Sequence, residues 1–169
     1  MPETQRSIVL VAHNLRSCHN VGSLLRTADG LGINQVILSG YTPYPLIDGD
    51  TRLPHLAAKI NRQIRKTALG AEQTMSWTHT AVIEDVLQRL RADGFTIAAI
   101  EQSPSSTPLP DYLPPHKLAL LCGREVEGVE PEVLAQCDTV LEIPMFGSKE
   151  SFNVVQAAAM ALYHCRFAD

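Results

Sequence analysis

The sequence lacks the features that mark membrane, secreted and metal-binding proteins. No apolar run approaches the roughly 18 residues of a membrane span, and the N-terminus has no signal-peptide pattern, so we expect a cytoplasmic protein. The four cysteines show no Cys-x-x-Cys or other metal spacing, which favours reduced packing residues over disulfides or a metal site. There is no internal repeat and no low-complexity tract. These features predict a single globular domain over residues 1–169.

Several nucleotide-binding and catalytic motifs are missing as well. No Gly-x-Gly-x-x-Gly follows the first predicted strand, which argues against a dinucleotide oxidoreductase. There is no P-loop and no Gly-x-Ser-x-Gly elbow. The six histidines are scattered, and none of them is assigned a catalytic role. Any site must therefore be built from other polar residues.

Short, nearly continuous apolar runs alternate with amphipathic segments. The runs are typical of strands buried on both faces, and the segments between them have helical spacing. This alternation predicts an α/β fold with a Rossmann-like parallel sheet covered on both faces. Strands are predicted at residues 7–13, 35–40, 74–78, 95–101, 117–122 and 139–145. Helices are predicted from about residue 21 to Gly32, at 80–93, at 131–136 and from about residue 153, with Asn20 as the first N-cap and Ser151 or Asn153 as the last.

One segment is basic in an otherwise acidic chain. The net charge is −4, and five cations between residues 51 and 71, with no acidic residue among them, leave the remainder at −9. The five are Arg52, Lys59, Arg62, Arg65 and Lys66. Lys59, Arg62 and Lys66 fall on one face of a helix. Such a run is commonly an ordinary solvated surface, but its contrast with the acidic remainder favours contact with a polyanion.

Three polar clusters each follow a predicted strand, at residues 14–26, 123–128 and 147–153. Ligands bind at the carboxyl ends of parallel strands, where such clusters come together. The polar residues of these clusters also have simple structural explanations. Asn20 is suited to cap a helix, Arg26 to form a surface salt bridge, and Glu125 to place a charge near a helix start. Arg26 is the hardest to explain in this way, because its helix otherwise packs apolar residues and a guanidinium suits phosphate or carboxylate recognition.

Residues 20–29, 121–129 and 143–154 resemble, in this order, the three motifs of the SpoU/TrmH-type RNA 2′-O-ribose methyltransferases. Residues 66–72 are similar to a further segment of that family, and the resemblance extends over residues 8–163. Arg124 and Phe152 stand where the family usually has other residues. A non-catalytic RNA-binding protein on the same scaffold is therefore the alternative function.

The resemblance implies methylation of a ribose 2′-hydroxyl with S-adenosylmethionine as the cofactor. The substrate would be tRNA or rRNA, with tRNA favoured by family analogy, and neither DNA nor a membrane is expected as a partner. The implied fold is the SPOUT fold, in which the C-terminal segment forms a trefoil knot around the cofactor pocket, and the implied assembly is a homodimer. The implied cofactor-binding residues are Ile100, Gly123, Gly128, Ile143, Met145 and Ser151.

The resemblance also gives Arg26 a role against the target nucleotide. A guanidinium stays protonated near neutral pH, so phosphate binding and stabilisation of the ribose oxyanion suit Arg26 better than general-base catalysis. Asn20, Glu125 and Asn153 are expected to orient Arg26, the loop and the nucleotide, and Ser151 completes the catalytic set. The expected RNA-binding residues are Arg26, Arg52, Lys59, Arg62 and Lys66.

Overall fold

The computed structural model describes residues 5–169. Its strands are β1 (Ser7–His13), β2 (Gln35–Ser39), β3 (Trp77–Thr80), β4 (Thr96–Ile100), β5 (Thr107–Pro108), β6 (Lys117–Cys122) and β7 (Thr139–Glu142). Its helices are α1 (Cys18–Gly30), α2 (Pro54–Ala68), α3 (Ala71–Thr74), α4 (Ile83–Ala92), α5 (Pro131–Leu134) and α6 (Val154–Phe167), with a 3₁₀ turn at Leu109–Asp111. Among residues 5–169, no helix has the length and apolar character needed to cross a membrane.

The strands form one sheet in the order β3-β2-β1-β6-β4-β7-β5, and every pair in it is parallel. Strand β1 lies beside the central strand β6. It pairs with β2, where Val9 lies opposite Gln35, and with β6, where Ser7 lies opposite Lys117. The predicted α/β fold with a parallel sheet is confirmed. The short strand β5 was not predicted, because its serine- and proline-rich surroundings are typical of a loop.

Helices cover both faces of the sheet. Helices α1, α2 and α6 pack on one face and α4 and α5 on the other. Strand β1 supplies Ile8 and Leu10 to the first core and Val9 and Val11 to the second. Successive side chains of a strand point to opposite faces, so a strand between two helical layers must be apolar at every position. This explains the continuous apolar run in β1.

Helix α1 begins earlier than predicted and has a different cap. Ser17 is the N-cap, and its hydroxyl oxygen accepts a hydrogen bond from the amide of Asn20 at 3.1 Å. The prediction of Asn20 as the cap is wrong, since Asn20 lies inside the first helical turn. Gly32 ends the helix as predicted, with a φ of +61° that glycine adopts without strain.

The last strand and helix are joined by a long polar loop. Strand β7 ends at Glu142, three residues before the predicted end at Met145, so residues 143–153 are available to line a site. Asn153 caps α6, because its side-chain oxygen accepts from the amide of Val155 at 2.8 Å. Of the two predicted caps, Asn153 is therefore the one in use.

Helix α6 is anchored on the far end of α1. The buried guanidinium of Arg166 donates to the carbonyl oxygens of Leu31 at 3.1 Å, Gly32 at 2.6 Å and Arg6 at 2.7 Å. The first two carbonyls lie just beyond the C-terminal end of α1, where a cation is stabilised by the helix dipole. The C-terminal part of the chain thus packs beside the central strands although β7 lies near the edge of the sheet.

Candidate functional site

A cleft of about 280 Å³ opens at the carboxyl ends of β4, β6 and β7. Apolar side chains from Ile100, Leu141 and Ile143 form part of its wall, and Val154 and Ala157 add the start of α6. Polar residues surround these side chains. They are Glu101, Gln102, Arg124, Glu125, Glu127, Glu150 and Ser151. This mixture suits a ligand with a flat apolar part and a polar, charged part.

The loop after β6 closes on itself to form one wall of the cleft. The amide of Arg124 donates to the carbonyl of Gly128 at 3.2 Å, and the amide of Gly128 donates back to the carbonyl of Arg124 at 3.1 Å. A Cβ atom on Gly123 would lie 2.7 Å from the amide nitrogen of Val129. Gly128 has a φ of +73°, so both glycines are needed for this backbone path.

Glu125 ties this loop to the start of α1. Its Oε1 accepts from the amide of Ser17 at 3.0 Å and from the side-chain amide of Asn20 at 3.3 Å, and both of its oxygens lie 3.1 Å from the amide nitrogen of Arg16. Burial acts to raise the pKa of Glu125, but these hydrogen bonds outweigh it and the pKa lies below its ordinary value. Glu125 is therefore an ionised carboxylate at neutral pH.

We expect Glu125→Gln to lower the free energy of unfolding by about 1 to 2 kcal/mol at pH 7, because a partly exposed charged acceptor is lost. The depressed pKa means that this contribution is present above the unfolded pKa and disappears as the pH falls through the folded pKa. Thermal unfolding of both proteins from pH 7 to pH 3 should therefore show the difference shrinking. Glu132→Gln, on the exposed side of α5, is the control, and a difference independent of pH would contradict this role.

A buried polar network supports the same loop from behind. Nδ1 of His13 lies 2.9 Å from the Ser39 hydroxyl, and its Nε2 lies 3.4 Å from Oε2 of Glu130. The side-chain amide of Asn14 donates to Oε1 of Glu130 at 2.8 Å, and Nε of Arg124 lies 3.6 Å from the same oxygen. Burial lowers the pKa of His13, although the Glu130 carboxylate opposes this, so the imidazole is neutral at pH 7. The network fixes Arg124 against the end of β1.

Ser151 and Asn153 lie in the loop between β7 and α6. Ser151 lines the cleft, whereas the side chain of Asn153 caps α6 outside the cleft lining. The loop is tied across the cleft mouth to the loop after β4, because the side chain of Gln102 donates to the carbonyl of Glu150 at 2.7 Å. Of the predicted cofactor-binding residues, Met145 alone is not part of the lining.

Arg26 lies on a different surface from the cleft. It is exposed and shares a shallow depression between α1 and α2 with Ser23, Thr27, Lys66 and Thr67. Asn20 therefore reaches the cleft through Glu125, whereas Arg26 does not line it. Arg26 and Lys66 bring two cations to one edge of α2.

The basic face of α2 is exposed as predicted from its spacing. Lys59, Arg62 and Lys66 all lie in solvent, and none of the three forms an ion pair with any residue from 5 to 169. Arg65 differs, because its Nε lies 3.2 Å from Oε1 of the buried Glu72. Three cations of this helix are thus free to bind an anion.

Arg52 is already engaged within its own loop. Its guanidinium donates to both oxygens of Asp50, at 2.9 and 2.6 Å, and to the carbonyls of Tyr44 and Pro45, each at 2.9 Å. It also lies 3.6 Å from the centre of the Tyr44 ring, which in turn stacks on His79. We assign Arg52 to holding the loop after β2, and its contact with RNA stays a prediction.

Several residues at the cleft were not found from the sequence. Glu101 follows β4 directly, and its Oε2 accepts from the amide of Val129 at 3.0 Å. Its position after a strand was a usable signal. Glu127 and Glu150 also line the cleft, and Arg16 lies beside it through its bonds to Glu125. Only folding brings these charges together, because the loops that carry them are distant in sequence.

The chain is similar to known RNA methyltransferases. A 23S rRNA (guanosine-2′-O-)-methyltransferase, RlmB, from Neisseria meningitidis is 29% identical over 159 residues, which are 94% of this chain and 58% of that protein. An AdoMet-bound rRNA methyltransferase from Sinorhizobium meliloti superposes with a TM-score of 0.79 at 22% identity, covering 96% of this chain and 57% of that one. The chain thus spans little more than half of the length of these two proteins.

A second similar structure matches over nearly its whole length. It was described in work on the 2-OH methylation of C/U34 on tRNA, and it superposes with a TM-score of 0.74 at 22% identity over 95% of this chain and 94% of that chain. The two solved structures show that this chain has the same fold as those proteins. The model of the SpoU rRNA Methylase family matches residues 7–163. The chain therefore belongs to the SpoU rRNA methylase family.

Proposed function

We propose that this protein transfers a methyl group from S-adenosylmethionine to a ribose 2′-hydroxyl of RNA, and that the RNA is tRNA. The observation that carries the proposal is the cleft, in which residues of the second and third family motifs meet the end of β4. The first motif is joined to this cleft through the hydrogen bond from Asn20 to Glu125. Ile100, Gly123, Gly128, Ile143 and Ser151 line the cleft together. The choice of tRNA is supported by the full-length structural relative described for C/U34 of tRNA. Because tRNA is in the cytoplasm, we also propose that the protein works there.

The cleft fits the proposed cofactor. The side chains of Ile100, Leu141 and Ile143 provide an apolar slot suited to an adenine ring. The absence of a side chain at Gly123 lets the loop fold close against the backbone of Gly128 and Val129, and this shapes one wall of the slot. Glu127 and Glu150 are exposed carboxylates at the rim, and they suit a ligand that carries positive charge. We propose Met145 as a backbone contact at the edge of this slot, in keeping with the family resemblance.

S-adenosylmethionine supplies an already activated methyl group, so the protein has mainly to align the acceptor oxygen and stabilise its developing charge. We assign that stabilisation to Arg26, whose guanidinium remains protonated and can hold the neighbouring phosphate. Asn20 and Glu125 are positioning residues, because they fix the first turn of α1 on the cofactor loop. Asn153 positions the cleft wall by capping α6, and Ser151 lies beside the reacting groups.

We further propose that the protein is a homodimer in which Arg26 of one protomer faces the cleft of its partner. The separation of Arg26 from the cleft within one protomer supports this arrangement. Exposed apolar side chains around the cleft and on α6 offer a surface for the partner. They include Val126, Phe146, Phe152, Tyr163 and Phe167. Large exposed apolar surfaces of this kind mark interfaces in soluble proteins.

We also propose the trefoil knot of the SPOUT fold for the C-terminal segment. Its support is the path of the chain after β7, which returns from near the sheet edge to pack α6 beside α1 and the central strands. The same return brings Val154 and Ala157 to the cleft. In a knotted chain, the segment that forms the cofactor pocket cannot move away without unthreading α6.

The basic face of α2 is our candidate for the RNA-binding surface. We expect simultaneous replacement of Lys59, Arg62 and Lys66 by alanine to weaken RNA binding and to reduce the slope of log K against log salt by about 2, since each phosphate contact on single-stranded RNA contributes about 0.7. Fluorescence anisotropy with labelled tRNA over a series of salt concentrations measures this slope. The double variant of Arg89 and Arg91, on the opposite helical layer, is the control. An unchanged slope would show that this face of α2 is an ordinary solvated surface that does not bind RNA.

The activity is tested with RNA from a strain that lacks the protein. Purified protein and labelled S-adenosylmethionine should convert nucleotides of this RNA to alkali-resistant 2′-O-methyl products. Absence of such products from both bulk tRNA and bulk rRNA would overturn the proposal. Calorimetry then separates the alternatives, because cofactor binding at micromolar concentration supports an enzyme and no binding at millimolar concentration supports an RNA-binding protein without catalysis.

A further inference from the structure

The loops after β1 and β2 are tied together by specific hydrogen bonds. The amide of Asn14 donates to the carbonyl of Ser39 at 3.1 Å, and Oδ1 of Asn14 accepts from the amide of Tyr41 at 3.0 Å. The hydroxyl oxygen of Thr42 accepts from the amide of Leu15 at 3.1 Å. Asn14 holds this position with a φ of +56°, which residues other than glycine adopt uncommonly. The two loops therefore form one rigid rim.

This rim is fixed to the cofactor cleft. The amides of Arg16 and Ser17 both donate to Glu125, which lines the cleft. The connection runs from Tyr41 through the side chain of Asn14 to the backbone of Arg16, and from there to Glu125. Every bond in this connection ends on a backbone amide, so the side chains of Arg16 and Tyr41 are not needed to make it.

Those two side chains project from the rim into solvent. The side chain of Arg16 is 68% exposed, and Tyr41 is 53% exposed. Nη2 of Arg16 lies 3.4 Å from Oε1 of Glu127, another residue of the cleft lining. Asn14 links the backbone positions of the two side chains, because its Oδ1 accepts from the amide of Tyr41 at 3.0 Å and Arg16 follows it by two residues. Tyr41 and the Glu127 carboxylate both raise the pKa of Arg16. An exposed ion pair of this kind contributes little stability, and a phosphate can readily replace it.

We propose that Arg16 and Tyr41 form the seat for the nucleotide that receives the methyl group. The Tyr41 ring stacks on the base, and the Arg16 guanidinium binds the adjacent phosphate. The inference rests on the RNA methyltransferase function proposed above and adds the class of substrate, a nucleotide in a single-stranded loop. A base in a duplex is already stacked and paired, so its face is not available to the ring.

The chemistry of the rim favours a nucleotide as the occupant. Proteins bind single-stranded nucleic acids by combining aromatic rings, which stack on bases, with cations that follow the backbone. Here one exposed ring and one exposed guanidinium project from the same rim. Their backbones are linked through Asn14, and the backbone of Arg16 is bonded to the loop that lines the methyl-donor cleft. The seat would also explain why a rigid rim presents two exposed side chains that its backbone hydrogen bonds do not need.

The test compares Tyr41→Ala, Tyr41→Phe and Arg16→Ala with the wild-type protein on tRNA from a strain that lacks it. Tyr41→Ala should raise KM for tRNA about tenfold, within the range found for loss of one stacking contact, and leave kcat nearly unchanged. Tyr41→Phe keeps the ring and should keep the wild-type KM. Arg16→Ala should raise KM and flatten its salt dependence, whereas Arg89→Ala, in the opposite helical layer, should do neither.

The outcomes separate this inference from the function on which it rests. If the wild-type protein methylates no RNA, the proposed function fails. If it methylates tRNA and Tyr41→Ala retains the wild-type KM, the nucleotide seat alone is overturned. Equal losses in Tyr41→Ala and Tyr41→Phe would also overturn it, because the hydroxyl rather than the ring would then matter. A change in molecular mass of Tyr41→Ala by light scattering would make the rim a contact between copies of the chain instead.

Discussion

Arg26→Ala is expected to slow methyl transfer by about 100- to 1,000-fold, while the dissociation constant for S-adenosylmethionine stays within about twofold of the wild-type value. The reduction follows from losing the cation that stabilises the developing ribose oxyanion and its phosphate. The cofactor should be unaffected because Arg26 lies outside the cleft lining of its own protomer. Single-turnover kinetics and calorimetry measure the two quantities separately.

Two further variants show whether the loss of rate depends on the guanidinium of Arg26 rather than on positive charge in general. Arg26→Lys keeps the charge but loses the planar fork, so it should recover only part of the rate. Arg62→Ala removes another exposed cation from α2 and should change RNA binding more than the rate at saturating RNA. A loss of cofactor affinity in Arg26→Ala comparable to its loss of rate would show that the proposed role of Arg26 is wrong.

Mixed dimers test whether Arg26 acts on the cleft of its partner. One protomer carries Arg26→Ala, and the other carries an intact Arg26 with a disabled cleft. If Arg26 acts across the dimer, each heterodimer has one complete site, and random pairing gives about one quarter of the wild-type rate. If Arg26 acts within its own protomer, the mixture has no complete site. Two affinity tags on co-expressed chains allow the heterodimer to be isolated and assayed directly.

The strands other than β5, and the meeting of the polar loops after β6 and β7, could be predicted from the sequence because they follow from local patterns. The run in β1 is apolar at every position from Ile8 to Ala12, and only a strand covered on both faces needs this. Parallel strands must then bring their carboxyl ends together. This is why Gly123, Ile143 and Ser151, distant in sequence, line one cleft.

The cap of α1 could not be chosen from residue type alone. Ser17 and Asn20 are both strong N-cap formers, and they lie within one turn of each other. The carboxylate of Glu125 accepts hydrogen bonds from the amide of Ser17 and from the side chain of Asn20. These bonds hold Ser17 at the cap position and engage the Asn20 side chain elsewhere. That carboxylate comes from a distant loop, since Glu125 follows Asn20 at a sequence separation of 105 residues. No local pattern contains this information.

Arg52 illustrates a different failure. It was grouped with the cations of α2 because no acidic residue follows it up to residue 71, but its partner Asp50 lies two positions before it. The carbonyl oxygens of Tyr44 and Pro45 accept the other hydrogen bonds of the Arg52 guanidinium. A sequence does not indicate which carbonyl groups of a loop will point inward. The charge count was correct, but it did not reveal that Asp50 already binds Arg52, and the contact of Arg52 with RNA stays a prediction.

Gly123→Ala is expected to weaken S-adenosylmethionine binding by about 100-fold or more and to destabilise the fold by about 1 to 3 kcal/mol. Its Cβ atom would lie 2.7 Å from the amide nitrogen of Val129 and 2.8 Å from the carbonyl carbon and oxygen of Gly128. All three atoms belong to the backbone, so no side chain can rotate to relieve the contact. The loop from residue 123 to 128 must move outward, and the wall of the cleft moves with it.

Gly147→Ala is the matched control for this substitution. Gly147 lies in the third motif, but no atom is within 4 Å of the position that its Cβ would occupy. Calorimetry should give wild-type cofactor affinity for Gly147→Ala and little or no heat for Gly123→Ala. In thermal unfolding, added cofactor should raise the Tm of the wild-type protein and of Gly147→Ala but not that of Gly123→Ala. Wild-type affinity in Gly123→Ala would mean that the cofactor does not depend on the close turn after β6, and the proposed binding cleft would have to be abandoned.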